Sequence, residues 1–191
     1  MKLKLFIWLL LIASITWMIV KNNWMASDTK RDVIREARMK ACATAYWEYQ
    51  DRIKERYIHT DQNWIVRCFA YMSIVYAKET WFWNSRMCVQ DNNCHWLKQM
   101  TYDIRIPYTV WNNRFVIFQN PEDSNLAFAR LFARFHMNKN ADVFVKWVWV
   151  NWQRVWAYSQ TDQDTYVKFI QDNFQKFYDI GHGLAFERIN K

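Results

Sequence analysis

The chain has 191 residues, of which 52% are hydrophobic and 19% aromatic, and its formal net charge is +8. That length suits one domain with an appendage, and the apolar share can build a sizeable core. The charge favours an acidic partner, such as anionic lipid or a cell-wall polymer. We expect no nucleic-acid partner, because no arginine-rich arm, zinc-finger spacing or RNA-binding motif occurs. Thirteen tryptophans beside two glycines and two prolines predict long helices with few tight turns.

The N-terminus predicts a membrane anchor. A basic start, Lys2 and Lys4, precedes residues 5–20, which carry no charge. A secretory signal has this plan, but a small-x-small cleavage site is lacking nearby. We therefore predict an uncleaved signal anchor and linker over residues 1–27, in the cytoplasmic membrane, with residues 28–191 on the periplasmic or extracellular side. The run is short beside the roughly 17–25 residues of a relaxed span, and a buried core helix is the alternative.

Four cysteines fit an exported domain with two disulfides. They are Cys42, Cys68, Cys88 and Cys94, and three pairings are open to them. We favour Cys88 with Cys94, because the loop that they would close is short; Cys42 would then meet Cys68 between two helices. No Cys-x-x-Cys occurs and one histidine lies nearby, so we expect no metal site. Four reduced core cysteines are the alternative for a chain that stays in the cytoplasm.

The first exported helix is predicted from Thr29 to about His59, with Asp28 as its cap. One face is apolar and the other is charged, Arg38 included. We interpret the charged face as solvated, with lipid headgroups or a partner protein as the alternative. Residues 60–63 predict a break after this helix and the N-terminal cap of the next one. A second, mostly buried helix follows.

The segment after this second helix lacks sustained helical periodicity from residue 81 to about residue 110. Apolar alternation predicts a short strand over residues 104–110, and residues 115–118 form another apolar run, with a turn at 112–113. The fold class predicted is mainly α, with a small β-hairpin or irregular lobe beside the second helix.

Three further elements are predicted in the C-terminal half. Residues 120–124 begin a helix, with a proline and acids near its first turn. Residues 142–157 are rich in β-branched side chains, but their length favours a buried helix over a strand. The last helix begins at Asp162 or Asp164 and runs to about Asp179, where residues 181–183 end it, because two glycines there are typical of a helix C-terminus.

Glu79 is the first candidate for chemistry. It stands at the end of the apolar second helix and is followed by the aromatic residues Trp81, Phe82 and Trp83. A carboxyl group held against aromatic surface loses solvation when ionised, so its pKa rises and it can donate a proton near neutral pH. The acid of a glycosidase does this. A cap or a salt bridge is the structural alternative.

Three motifs in chain order carry a family resemblance. The first is Glu79-Thr80, followed by Ser85-Arg86-Met87, Asn92-Asn93 and Lys98. The second is the aromatic-rich segment over residues 115–135. The third covers residues 158–179 and is similar to a Tyr-x-Thr-Asp-x-x-Tyr segment with a terminal helix. In these motifs the chain resembles the glucosaminidase family of peptidoglycan hydrolases, which includes autolysins and flagellar muramidases. The resemblance covers roughly residues 63–179. It implies a lysozyme-like α+β fold, hydrolysis of peptidoglycan glycan strands between N-acetylated sugars, and no cofactor.

The resemblance also assigns roles to residues. Glu79 would be the general acid. Tyr158 would lie on the cleft, where its phenol could orient an acetamido group or stabilise positive charge on the sugar; core packing is the alternative. Asp103 is the only acid between Asp91 and Glu122 and is the candidate second carboxylate, with a loop salt bridge as the alternative.

Five further residues are predicted on the substrate side. Asn92 and Asn93 are expected to hold the loop that faces the catalytic acid through bonds from side chain to backbone. Sugar rings pack their C–H faces on aromatic rings, so a stacking floor is predicted from Trp81, Trp83 and Trp96, with core packing as the alternative.

Several family glycines are replaced by bulkier residues here, among them Trp81, Trp83, His95 and Trp96. Glycine allows close backbone approach or positive φ, which bulky residues do not copy freely. A second function is therefore kept open. In it, the chain is a non-catalytic lysozyme-like descendant that binds glycan or serves as a structural component of an envelope or phage assembly.

Overall fold

The computed structural model describes residues 31–56, 61–80, 86–95, 97, 105–111, 115–135 and 163–189. The helices are α1 (31–48), α2 (Gln50–Arg56), α3 (Asp61–Thr80), α4 (Arg86–Val89), α5 (Pro121–Phe135) and α6 (Gln163–Ile189), and the strands are β1 (Thr109–Trp111) and β2 (Phe115–Ile117). The prediction of a mainly helical chain with a small antiparallel hairpin is confirmed. By their contacts, residues up to 36 and residues from 37 onward fall into two units.

The first predicted helix is found as two helices, α1 and α2, separated by a turn at Tyr49. The amide of Tyr49 donates to the carbonyls of Ala45 and Tyr46, both at 3.2 Å, and the amide of Ile53 donates to the carbonyl of Tyr49 at 2.9 Å. Helical hydrogen bonding therefore continues across the turn. In the first unit, Arg35 donates to Asp32 at 3.1 Å.

Helix α3 is the centre of the core. It is apolar on nearly all sides, which is typical of a helix enclosed by other elements, and Trp64, Val66 and the run from Cys68 to Val75 are buried. The prediction of a mostly buried second helix is confirmed. Cys42 of α1 is bonded to Cys68 of α3, which confirms the favoured pairing.

Helix α6 does not end at its glycines. It continues through Gly181 and Gly183 to Ile189, so the predicted terminus at residues 181–183 is wrong. Neither glycine has positive φ. Gly181 is buried against α3, where a Cβ atom would stand 2.7 Å from Phe69 Cδ1 and 3.3 Å from Val66 Cγ1. The residue is small because two helices approach closely there, not because the helix ends.

The hairpin joins the core through β2. Its register pairs Thr109 with Ile117, Val110 with Val116, and Trp111 with Phe115. Val116 is buried, and its amide donates to the carbonyl of Leu97 at 3.1 Å. The predicted hairpin is confirmed, although β1 begins five residues later than residue 104.

Helix α5 begins where predicted. Asn120 caps it, since its Oδ1 accepts the amide of Asp123 at 2.8 Å, and Pro121 occupies the first helical position, where no amide donor is needed. Phe132 on its buried face contacts Trp64 and Tyr71 of α3, with ring centroids 5.7 and 5.4 Å apart.

The four-residue helix α4 was not predicted, because it is too short for periodicity to reveal. No helix among the described residues is both long and apolar enough to cross a membrane. The predicted anchor over residues 5–20, the linker to residue 27 and the predicted helix over residues 142–157 lie outside the described residues.

Candidate functional site

The centre of the candidate site is the C-terminal end of α3. The backbone of Glu79 lies in the last turn of this helix, but its side chain is outside the described part of the chain. Five other predicted site residues also lie outside it: Trp81, Trp83, Trp96, Asp103 and Tyr158. Their roles stay predictions, and the described site is built from the groups around the helix end.

Asn93 is the main anchor of the loop that follows α4. It is fully buried. Its Nδ2 donates to the carbonyl of Leu97 at 2.7 Å and to that of Val116 at 3.0 Å, while its Oδ1 accepts the amide of Leu97 at 2.7 Å. One amide side chain thus closes the loop over residues 93–97 and fastens it to strand β2.

Asn92 fastens the same loop to the start of α5. Its Nδ2 donates to the carbonyls of Phe118 and Gln119, both at 3.1 Å. Its φ is 52°, a left-handed conformation that asparagine tolerates better than most residues. Asn92 and Asn93 therefore bond to backbone, as these residue types predict, and their contact with substrate stays a prediction.

A disulfide between Cys88 and Cys94 closes the loop from the other side. This confirms the second favoured pairing. Cys94 is buried, and the bond ties the short helix α4 to the residues that follow Asn93. The loop is therefore held by one covalent link and by two amide side chains.

His95 anchors this loop to the helical core. The ring is fully buried, and its Nδ1 shares a hydrogen bond with Ser124 Oγ of α5 at 3.0 Å. Its centroid is 4.9 Å from the ring of Phe128 in α5 and 6.3 Å from the ring of Tyr76 in α3. Burial and, to a smaller extent, the charge of Arg38 hold the pKa of His95 well below its ordinary value of 6.5.

Arg38 of α1 is buried beside the same turn of α3, although its face was interpreted as solvated. Its side chain is 5% exposed. Nη1 donates to Ser73 Oγ at 3.5 Å, and Cζ stands 3.8 Å from the centroid of the Tyr76 ring. The solvated interpretation is therefore wrong at Arg38. The available signal was its position four residues before Cys42, which places both on one helix face.

A second arginine, Arg130 of α5, joins three elements of the fold. It donates to both carboxylate oxygens of Glu48 at 2.6 and 2.7 Å, and to the carbonyl of Arg105 at 3.1 Å. Such a two-point contact fixes direction as well as distance. It links α5 to α1 and to the segment that leads into β1, and no local pattern announces a pair so far apart in sequence.

These contacts bring four elements together at one place. Tyr76, which contacts both Arg38 and His95, lies one helical turn before Glu79 on the same side of α3. The loop that contains His95, the start of α5 and the middle of α1 therefore meet near Tyr76, one turn before the backbone of Glu79. Among the described residues, no group of three or more His, Cys, Asp or Glu could hold a metal ion.

Comparisons with protein-family models, with curated proteins and with solved structures found nothing that matches this chain.

Proposed function

We propose that this protein hydrolyses the glycan strands of peptidoglycan, with Glu79 as the general acid. The observation that carries the proposal is the position of Glu79 in the last turn of a core helix, one turn beyond the contact of Tyr76 with the loop of Asn92, Asn93 and His95. In the resembling family, the glutamate motif and the Asn-Asn motif belong to one site. Packing of this loop near the glutamate helix supports the same association here.

The chemistry proposed is protonation of the glycosidic oxygen by Glu79. As the bond to the leaving sugar breaks, positive charge develops on the remaining ring and must be stabilised. The nucleophile at the anomeric carbon is a carboxylate oxygen of Asp103 or the acetamido oxygen of the substrate itself. The phenol of Tyr158 orients the acetamido group. The leaving sugar keeps that proton as its new hydroxyl group. Water then attacks the anomeric carbon and gives one of its protons to Glu79, which restores the acid.

Binding of the substrate is assigned to aromatic surface and to charge. Trp81, Trp83 and Trp96 would stack on sugar rings. The net charge of +8 favours approach to an anionic cell-wall polymer.

We also propose that the domain acts outside the cytoplasm, on the periplasmic or extracellular side of the membrane. All four cysteines are disulfide-bonded, and structural disulfides form and persist in oxidising compartments. Residues 5–20 would hold the chain in the membrane, close to the cell wall that it cuts.

The experiment compares the release of soluble fragments from purified peptidoglycan by the wild-type chain and by Glu79→Gln. Asp172→Asn, an exposed change on α6 that also removes one negative charge, is the matched control. We expect release by the wild type and by Asp172→Asn, and loss of at least about a hundredfold in rate in Glu79→Gln, the scale of a general acid. The new reducing ends would identify the bond that is cut.

No release by a folded, disulfide-bonded wild type would reject the enzyme. Co-sedimentation with peptidoglycan would then test the second function, a lysozyme-like descendant that binds glycan or forms part of an envelope or phage assembly. The replaced glycines favour that function, because bulky side chains occupy positions where the family keeps the backbone open.

A further inference from the structure

We infer that the Cys88–Cys94 disulfide is a thiol-exchange site: a small external thiol opens it at Cys88, forms a mixed disulfide there and releases α4 from the loop that follows. The inference goes beyond the proposed function and does not rest on it. It is carried by the unequal exposure of the two disulfides and by the hydrogen bonds that hold the loop independently of them.

The two disulfides lie in different surroundings. Cys42 and Cys68 are both fully buried, where α1 packs on α3. Cys88 is partly exposed, while its partner Cys94 is only 4% exposed. A thiolate must reach a sulfur atom before it can exchange with a disulfide. Among the four cysteines, Cys88 is therefore the one open to an external thiol in the folded chain.

The surroundings of Cys88 also favour local opening. Val89 is 68% exposed, although it is apolar, and Gln90 is exposed as well. Helix α4 has four residues, and so short a helix is marginal without other support, whereas α3, which carries Cys68, has 20 residues. Exchange at Cys88 therefore needs only a small movement, while exchange at the buried pair needs two core helices to separate.

The loop keeps its attachment to the core when this disulfide opens. The side chains of Asn92 and Asn93 donate to backbone carbonyls, and His95 shares its hydrogen bond with α5. The carbonyl of Asp91 accepts the amide of Phe118 at 3.0 Å. None of these hydrogen bonds involves a cysteine. Reduction therefore frees α4 and leaves the loop in place.

The exchange proceeds in two steps. In the first, the thiolate of the external thiol attacks Cys88 Sγ; the bond between the two protein sulfurs breaks, and its electron pair leaves with Cys94. In the second, another external thiolate attacks the sulfur of the bound thiol, which frees Cys88 and gives the oxidised dimer of the thiol. The protein disulfide gains two electrons from the two external thiols, and each freed cysteine takes up one of the protons that they lost.

Cys94 is placed to reverse the reaction. Its buried neighbours Asn93 and His95 hold it at the core. Its Sγ lies 3.7 Å from the carbonyl oxygen of Cys88, so the reduced thiol has an acceptor whenever α4 is in place. With an oxidised external thiol, Cys88 forms the mixed disulfide, and Cys94 then displaces the small thiol and closes the loop again.

The first test reduces the full-length chain, with both disulfides formed, in native buffer with reduced glutathione as the probe. Iodoacetamide blocks the new thiols at set times, and peptide mass mapping identifies the blocked cysteines. We expect Cys88 and Cys94 to be blocked at least about a hundredfold faster than Cys42 and Cys68, because the buried pair is exposed only by large-scale unfolding. Equal rates for the two pairs, or no blocking before the circular dichroism of the fold is lost, would overturn the inference.

A matched pair of variants identifies the sulfur that is attacked. Cys94→Ser leaves Cys88 as a free thiol, and Cys88→Ser leaves Cys94. With oxidised glutathione, Cys94→Ser should gain one glutathione at least about tenfold faster than Cys88→Ser, because its thiol is the more exposed one. An equal or faster reaction of Cys88→Ser would reject Cys88 as the site. If either variant does not fold, the glutathione-bearing cysteine is read from the mixed disulfide that accumulates in the wild type.

Hydrogen exchange measures the release of α4. In the wild type reduced and blocked at Cys88 and Cys94, the amides of residues 86–90 should exchange at least about tenfold faster than in the oxidised chain, while those of α3 stay unchanged. The double variant Cys88→Ser, Cys94→Ser lacks the bond without any reagent and should behave in the same way. Unchanged exchange at residues 86–90 in both samples would overturn the release of α4.

These experiments follow thiols and amides, so their outcome is independent of hydrolysis. Absence of fragment release from peptidoglycan would reject the proposed function and leave the thiol-exchange site standing. Equal reduction of the two disulfides would reject the thiol-exchange site and leave the proposed function standing.

Discussion

The contact between α3 and α6 and the loop over residues 91–97 are held together by different physical means. Where α3 meets α6, apolar surfaces approach so closely that Gly181 leaves no room for a methyl group beside Phe69. In the loop, the side chains of Asn92 and Asn93 replace backbone partners by bonding to five main-chain groups. The helix contact is governed by volume and the loop by satisfied polar groups, so the two should respond to different substitutions.

The largest expected effect compares the disulfides of the two regions. Cys42–Cys68 joins residues 26 apart, and Cys88–Cys94 joins residues 6 apart. The entropy removed from the unfolded chain grows with loop length, giving about 3.5 kcal/mol for the first bond and about 2.2 kcal/mol for the second. Urea unfolding, followed by tryptophan fluorescence, should therefore show the larger loss in the Cys42→Ala, Cys68→Ala variant. A larger loss in the Cys88→Ala, Cys94→Ala variant would mean that this disulfide stabilises the folded loop by more than the chain entropy accounts for.

Asn93→Ala should be the next most damaging change. It would leave buried main-chain groups of Leu97 and Val116 without the amide that they now bond, and we expect a loss of about 3 kcal/mol in the free energy of unfolding. Asn92→Gly is the matched change. Glycine tolerates the φ of 52° at this position, and the hydrogen bonds that are lost lie nearer to solvent. The same urea titration should therefore show a loss of about 1 kcal/mol in the free energy of unfolding. Equal losses would contradict the assignment of Asn93 as the main anchor.

The two glycines of α6 form a matched pair for the helix contact. Gly181→Ala places a methyl group 2.7 Å from Phe69 Cδ1 in a packed core, and should lower the stability by about 2 kcal/mol. Gly183→Ala meets nothing within 4 Å and should raise the stability by about 0.5–1 kcal/mol through helix propensity. Thermal unfolding of both variants measures the contrast. Stabilisation by both would show that α6 does not approach α3 so closely.

The smallest effect is expected from pH, through His95. Since the pKa of the buried ring is lowered in the folded chain, the unfolded chain binds a proton more readily. Stability is therefore fully present above about pH 6.5 and falls as the pH drops, by about 1 kcal/mol at one pH unit lower. His95→Gln should remove this slope from the plot of unfolding free energy against pH. His182→Gln, an exposed change on α6, should retain it, and loss of the slope in His182→Gln would refute the role of His95.

Predictions from local pattern succeeded at the described elements whose signals are local. Asn120 and Pro121 marked the start of α5, and the apolar alternation around residue 110 marked the hairpin. Of the three possible cysteine pairings, the one favoured for its short loop is the one found. The candidate site was predicted less completely, because the side chains that meet near Tyr76 come from α1, the loop and α5, and no spacing in the sequence links them.

Two errors show where local pattern stops. Gly181 was expected to end a helix, but a glycine that ends a helix and a glycine that admits a neighbouring helix look the same in sequence. Arg38 was placed on a solvated face, yet α1 packs it against Tyr76. In both cases the deciding atoms belong to α3, more than thirty residues away along the chain.

By itself, the sequence determined the mainly helical class, the start of α5 and the buried character of α3, because capping and periodicity depend on residues within one or two turns. The tertiary structure alone decided which side of each element is enclosed. It buried Arg38 and His95 beside Tyr76 of α3, joined Glu48 to Arg130, and packed Gly181 against Phe69. The physical reason is that burial, close approach and the pairing of distant charges arise only between elements, after the chain has packed.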